Sequence, residues 1–189
     1  HELLGEWDKA LAWYDRARET YANRQDIRGM VAAVRRQEHI LIYTTADAPQ
    51  AALLNEQTLK WLGTEHRVER AGLLTSLAWL DHLLTSNQGD AALDAFHEAM
   101  SIYEAEGDDR GRMEAIIEGG FWLHIGRGHH HQALELLRTA EQLAYRLGDK
   151  YKLAECYNNM GVVLYMIGDY HLLREYAERA VSLSREIQS

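Results

Sequence analysis

The sequence predicts an all-α protein built as a solenoid of antiparallel helix pairs, and three observations support that fold class. A pattern of small and apolar residues recurs about every 40 residues, a period typical of stacked repeat proteins. Elsewhere apolar residues recur three and four apart, the spacing of one helix face, and sustained period-two alternation is absent. Only one proline occurs in the chain, as expected where helix interiors dominate. The clearest copies of the pattern are Ala92-Phe96-Ala99 and Ala133-Leu137-Ala140.

The first half of the chain reads as four helices separated by turn residues. The first follows Gly5 with apolar residues at helical spacing, and Pro49 falls in the first turn of the third, where its missing N–H costs little. Gly63 ends the third helix, and the fourth runs into a predicted loop over residues 85–89. The predicted ranges are 7–21, 27–43, 48–62 and 68–84.

The second half reads as five more helices, with Asp90 predicted as an N-cap. Gly107-Asp108 and Gly148-Asp149 each predict a glycine that ends one helix and an aspartate that caps the next. The nine helices alternate between two types, called A and B, and the chain starts on a B helix. The predicted ranges are 90–105, 112–125, 131–147, 150–167 and 169–187.

Composition excludes several classes of protein. A formal net charge of −9 argues against a nucleic-acid surface, which needs a basic stripe to neutralise phosphates. No run of 18 or more apolar residues occurs, so no membrane-spanning helix is expected. The single cysteine excludes an internal disulfide and favours the cytoplasm. We expect one domain over residues 1–189, and both ends look cut from a longer protein.

The C-terminal copy resembles the tetratricopeptide repeat (TPR), with aromatic, small and glycine residues at that family's spacing. It departs from the family at Leu164 and Ala177, where aromatics are expected, and at Leu173 in place of alanine. The resemblance covers about four and a half repeats and implies a right-handed superhelix whose concave wall is made of A helices. The matching positions are Tyr157, Met160-Gly161, Gly168, Tyr170 and Ala180.

A period of about 40 residues is longer than the common 34 of this family. Long repeats of this style resemble the sensor domains of bacterial regulators such as the maltose-regulon activator MalT and related signal-transduction ATPases. The resemblance implies a protein-binding or ligand-binding sensor module within a larger bacterial regulatory protein. Its partner would be a protein or peptide segment, or a small-molecule effector. The alternative is a structural scaffold that self-associates through exposed end faces.

The concave face is the candidate binding site, because an extended concave surface is what solenoids use for recognition. In this register its side chains come from A helices at spacings of three and four. Each of them could instead be a core residue between A helices. The predicted binding residues are Glu38, Leu77, Ile117, Phe121, His124, Asn158, Val162 and Tyr165.

Other chemistry-bearing residues have simpler explanations. His129-His130-His131 are consecutive, so their side chains splay apart on a forming helix and do not converge on one metal ion. Cys156 is expected to be a small buried residue, and the Gly119-Gly120 pair to allow close helix packing. Arg35-Arg36 could bind an anionic group, although a salt-bridged helix face explains them better. No catalytic constellation or cofactor motif is recognised, so we expect a non-enzymatic protein with no cofactor.

Overall fold

The computed structural model describes residues 6–85 and 90–188, and within these ranges it is helical with no strand. Residues 109–126 form one continuous helical rod made of three consecutive segments. When this rod is counted as one helix, the described ranges contain the nine predicted helices. The predicted loop over residues 85–89 lies almost entirely outside the described residues. The helices are α1 (Trp7–Asn23), α2 (Ile27–Tyr43), α3 (Ala48–Leu62), α4 (Arg67–Thr85), α5 (Ala91–Glu106), α6 (Asp109–Ala115), the π turn (Ile116–Gly120), α7 (Phe121–Gly126), α8 (His130–Leu147), α9 (Lys150–Ile167) and α10 (Tyr170–Gln188).

Aspartate caps set the starts of the A helices α6 and α9. The backbone N–H of Gly111 donates to the Asp108 carboxylate at 2.8 Å, and Lys152 donates in the same way to Asp149 at 3.1 Å. Gly107 and Gly148 end the preceding helices in the left-handed conformation, at φ of +67° and +65°. Both predicted Gly-Asp junctions are therefore confirmed.

The capping prediction for Asp90 is wrong. Its side chain makes no hydrogen bond to the first turn of α5. The backbone there is already helical, at φ −80° and ψ −16°, whereas a capping residue usually adopts extended backbone that turns its side chain towards the N–H groups.

The π turn was not predicted, since the periodicity indicated an uninterrupted helix over residues 112–125. It ends in Gly119-Gly120, and two adjacent glycines weaken the regular helix at that point. The turn also shifts the register of α7 relative to α6. Residues after it therefore face directions that a simple 3.6-residue count does not give.

The core is continuous between neighbouring layers and confirms the role of the small residues. All four repeat alanines are buried, and the large side chains between them, Phe96 and Leu137, are buried as well. Each helix packs mainly on its neighbours in the chain, and successive A helices also touch, α2 with α4 and α4 with the π turn and α7. This is the predicted all-α solenoid of antiparallel helix pairs, and it sets the A helices side by side. The four alanines are Ala92, Ala99, Ala133 and Ala140.

Candidate functional site

A groove of about 590 Å³ lies across the A helices, bounded by α2, α4, the rod from α6 to α7, and α9. Its lining combines exposed aromatic rings with charged side chains. We call it the A-helix groove. A cavity of this size is within the range of about 300–1,000 Å³ that ligand sites occupy.

Aromatic rings gather along one part of the A-helix groove. The rings of Tyr43 and Trp79 stack with centroids 5.2 Å apart and planes 26° apart, which joins α2 to α4. His39 lies one helical turn before Tyr43, with ring centroids 4.5 Å apart. Trp122, on α7, also lines the groove. Tyr43 is 61% exposed and Trp122 38% exposed, so both rings are available to a ligand.

Ion pairs connect three of the four A-helix rods across the groove. Arg35 Nη2 on α2 donates to Glu118 Oε2 in the π turn at 2.7 Å. Lys152 Nζ on α9 lies 3.6 Å from the other Glu118 oxygen and donates to Glu155 at 3.0 Å. Glu118 therefore pairs with a cation from each side. The expectation of a salt-bridged helix face is confirmed for Arg35.

The electrostatics of these groups follow from burial and carboxylate crowding. Burial lowers the pKa of Arg35 and of Lys152, but nearby carboxylates outweigh it and raise both pKa values above their usual ones. Burial, and then the charge of Glu118, raises the pKa of the Glu114 carboxyl. Carboxylates thus make the potential in the groove negative.

Glu38 is the buried carboxyl among the residues that line the A-helix groove. It is 3% exposed, and the Asn55 amide donates to its Oε1 at 2.8 Å and to the Leu73 carbonyl at 3.0 Å. Burial raises the pKa of Glu38 to about 7, although Asn55, Ser76 and Arg35 favour its charged form. The network ties α2 to α3 and α4 beneath the groove.

The predicted binding residues fall into three groups. Glu38 and Ile117 line the A-helix groove, although little of either side chain is exposed. Three others pack into or against the core: Leu77, Phe121 and His124. Three are exposed on α9 outside the groove lining: Asn158, Val162 and Tyr165. Their binding role stays a prediction.

Sequence reasoning missed most of the residues that line the groove. Glu118 and Trp122 each follow a predicted residue by one position, because the π turn alters the register there. A signal was present in the sequence, since Trp122 is a large aromatic beside a strongly apolar helix face. Other missed groove residues include Tyr43, Trp79, Lys152 and Glu155.

The histidine run does not form a metal site in the structure. α8 begins at His130, and His129 precedes it without a side-chain cap. The ring of His129 lies 5.8 Å from that of His124, centroid to centroid. Over residues 6–85 and 90–188, no group of three or more His, Cys, Asp or Glu side chains has the geometry to hold a metal ion.

Cys156 is buried, as predicted, and burial raises the pKa of its thiol to about 12. It therefore remains protonated at neutral pH and is a poor nucleophile. No helix in the described part of the chain is both long and apolar enough to cross a membrane.

Comparison with known proteins finds the tetratricopeptide repeat in one segment of the chain. Residues 153–187 match the tetratricopeptide repeat family model. A curated relative, the Tonsoku-like protein of Danio rerio, is 27% identical over 89 residues, which is 46% of this chain and 6% of that protein. The chain thus matches only a small part of the relative's length.

Three solved structures share the fold. BtubC from P. vanneervenii has a TM-score of 0.71 at 18% identity, covering 96% of this chain and 74% of that one. A kinesin light chain from Podosopora anserina has a TM-score of 0.65 at 13% identity, covering 98% and 90%. MamA from Desulfovibrio magneticus RS-1 has a TM-score of 0.56 at 14% identity, covering 95% and 98%. At these identities the likeness shows the fold alone.

Proposed function

We propose that this chain is a protein-interaction module that binds a segment of a partner protein in the A-helix groove. TPR-like folds generally mediate protein–protein interactions. The observation that carries the proposal is a set of rings in one concave groove, the exposed Tyr43 and Trp122 and the half-buried Trp79. Aromatic side chains in desolvated pockets dominate the energy of protein interfaces, because they bury a large area at low entropic cost.

The wall of the groove is already organised for binding. The Arg35–Glu118 pair and the Tyr43–Trp79 stack each join different A helices, so the helices are held together without a ligand. A preorganised site spends less of its binding energy on ordering side chains. An extended segment or an amphipathic helix could lie along such a groove.

We also propose that the module acts as the sensor part of a larger bacterial regulatory protein, with a peptide or small-molecule effector. The long repeat period supports this, because it is the style of repeat that such sensors carry. The test is the complete gene product: a nucleotide-binding core and a helix-turn-helix elsewhere in it would support the proposal. Their absence would contradict it.

Self-association is the second candidate function, and exposed apolar side chains on the last two helices favour it. Tyr165 on α9 and Tyr170 and Val181 on α10 are each at least half exposed. Sedimentation velocity over a range of concentrations tests this candidate. A dimer that Tyr165→Glu or Val181→Glu dissociates would support it, and a monomer at all concentrations would contradict it.

The groove proposal is tested by selecting binders from a displayed library of random peptides and measuring their affinities by fluorescence anisotropy. We expect Tyr43→Ala and Trp122→Ala each to weaken binding roughly tenfold or more, which corresponds to about 1.4 kcal/mol. Tyr145→Ala is the matched control, since Tyr145 is 78% exposed on α8, a B helix. Tyr165→Ala tests the predicted site outside the groove. Unchanged affinity in both groove variants would contradict the proposal.

A further inference from the structure

We infer that the partner segment carries a basic side chain, arginine or lysine, that lies against the rings of Tyr43 and Trp79 beside the carboxylates of Glu118 and Glu155. The inference rests on the proposed function, because it names the chemistry of the segment that the A-helix groove binds. It goes further in predicting the sign of the partner's charge.

The aromatic pair offers ring faces to a cation. Tyr43 is exposed and stacks on the half-buried Trp79, and both line the A-helix groove. A guanidinium or ammonium group within about 6 Å of such a ring is attracted by the ring quadrupole. The chain makes this contact within itself elsewhere, since the Arg16 guanidinium carbon lies 5.5 Å from the Trp13 ring centroid.

The carboxylates near these rings outnumber the cations that compensate them. Apart from the buried Glu38, three glutamates line the groove, together with three arginine and lysine side chains. Two of the basic residues, Arg35 and Lys152, are already paired with Glu118. The third, Arg36, lies on α2 about two helical turns before Tyr43, away from the aromatic pair. The three glutamates are Glu114, Glu118 and Glu155, so near the rings three carboxylates face the two cations Arg35 and Lys152.

The titration behaviour of the groove agrees with this charge balance. Burial, and then the carboxylates of Glu118 and Glu155, raise the pKa of the Tyr43 phenol. These two carboxylates therefore act on the ring that would receive the cation. An acidic partner would meet the same negative potential and lose its hydration without gaining a counter-charge.

Two further features favour a basic partner at this point. Tyr43 is the last residue of α2, whose final turn has no basic residue, and the C-terminal end of a helix carries a partial negative charge. The chain as a whole has a formal net charge of −9, which speeds the approach of a basic segment at low ionic strength.

The experiment compares three pools of fluorescein-labelled peptides of about ten residues. The pools share randomised flanking positions and differ only in a fixed central residue, which is Arg, Glu or Leu. We expect the Arg pool to bind at least about fivefold more tightly than the other two, and its advantage to shrink as salt is raised.

The variant Glu155→Gln should cut the advantage of the Arg pool several-fold, because it removes a carboxylate from the groove. Glu135→Gln is the matched control. Like the half-buried Glu155, the exposed Glu135 belongs to an ion pair three residues apart, but it lies on α8 and pairs with Arg138. Circular dichroism verifies that both variants fold.

The outcomes separate this inference from the proposed function. One outcome is that the Leu or Glu pool binds as tightly as the Arg pool or more tightly, and loses that binding in Trp122→Ala. This result would overturn the inference of a basic partner and leave the groove proposal standing. An Arg-pool advantage that Glu155→Gln leaves intact would also overturn the inference. Failure of all three pools to bind would overturn both.

Discussion

Gly120 lies directly against the buried ring of Phe96: a β-carbon at position 120 would stand 2.4 Å from Cζ of that ring. Gly161 is the equivalent glycine of the next repeat, and a β-carbon there would have no neighbouring atom within 4 Å. The same sequence feature therefore has two different structural roles. Gly120 lets α5 approach the π turn, whereas Gly161 occupies open space on α9.

The first prediction follows from that difference. Gly120→Ala should destabilise the protein by about 1–3 kcal/mol, because the buried Phe96 ring has to move in a packed core. Gly161→Ala should be neutral or stabilise by up to about 1 kcal/mol, because alanine favours helix more than glycine does. Urea unfolding followed by circular dichroism measures both variants. A Gly120→Ala variant as stable as Gly161→Ala would show that the layers are not in close contact at Phe96.

Most of the fold could be predicted from the repeat period and from the residues that end the helices. The burial of small residues such as Ala133 and Ala140 was predicted correctly, because closely packed helices leave room for few larger side chains there. The helix end at Gly148 and the cap at Asp149 were predicted correctly, because capping depends on residues that are close in sequence. Such features depend on spacing within one or two helices, which a sequence displays directly.

The groove was harder to predict because its lining depends on helix register. The π turn at Ile116–Gly120 rotates the following helix, so Trp122 lines the groove and Phe121 is buried. The ion pair between Arg35 and Glu118 joins residues far apart in the chain. Without an independent constraint on register, periodicity identifies which helices form the wall but not which side chains line it.

The second prediction concerns Glu38, whose pKa is raised to about 7 by burial. A carboxyl with a raised pKa in the folded protein stabilises it fully below the unfolded pKa of 4.5, and this stability is lost as the pH rises through about 7. Glu38→Gln should therefore be more stable than the wild type at pH 8, by roughly 2–3 kcal/mol, since the amide keeps an acceptor for Asn55.

Chemical denaturation at several pH values between 4 and 8 measures the effect. Glu56→Gln on α3 is the control, because Glu56 is exposed on a helix that packs beside Glu38. If the difference in stability between Glu38→Gln and the wild type did not change between pH 4 and pH 8, the assignment would be refuted.

The third prediction concerns His124, whose contribution to stability changes with pH in the opposite direction to that of Glu38. Burial, followed by the charges of His129, His97 and Arg127, lowers its pKa to about 4 from 6.5. Its contribution to stability is present above pH 6.5 and is lost as the pH falls towards 4. His124→Leu should therefore gain stability relative to the wild type as the pH falls from 6.5 towards 4.

The ring signals of His124 in an NMR titration measure its pKa directly. A midpoint near 6.5 for the folded protein would contradict the prediction. Because Glu38 and His124 act in opposite directions over overlapping pH ranges, the wild type should show a flatter pH dependence than either single variant.

The last prediction tests the caps with the two aspartates that precede α5 and α9. The Asp149 carboxylate accepts from the Lys152 backbone N–H, and this bond first, then Arg110, holds its pKa below the usual value. Asp149→Ala should cost about 1 kcal/mol, and Asp149→Asn should recover most of it, since asparagine caps as well as aspartate. Asp90→Ala should cost little, because Asp90 makes no capping bond. Thermal unfolding of the three variants decides the matter: equal losses for Asp90→Ala and Asp149→Ala would mean that the cap geometry does not determine stability at these helix starts.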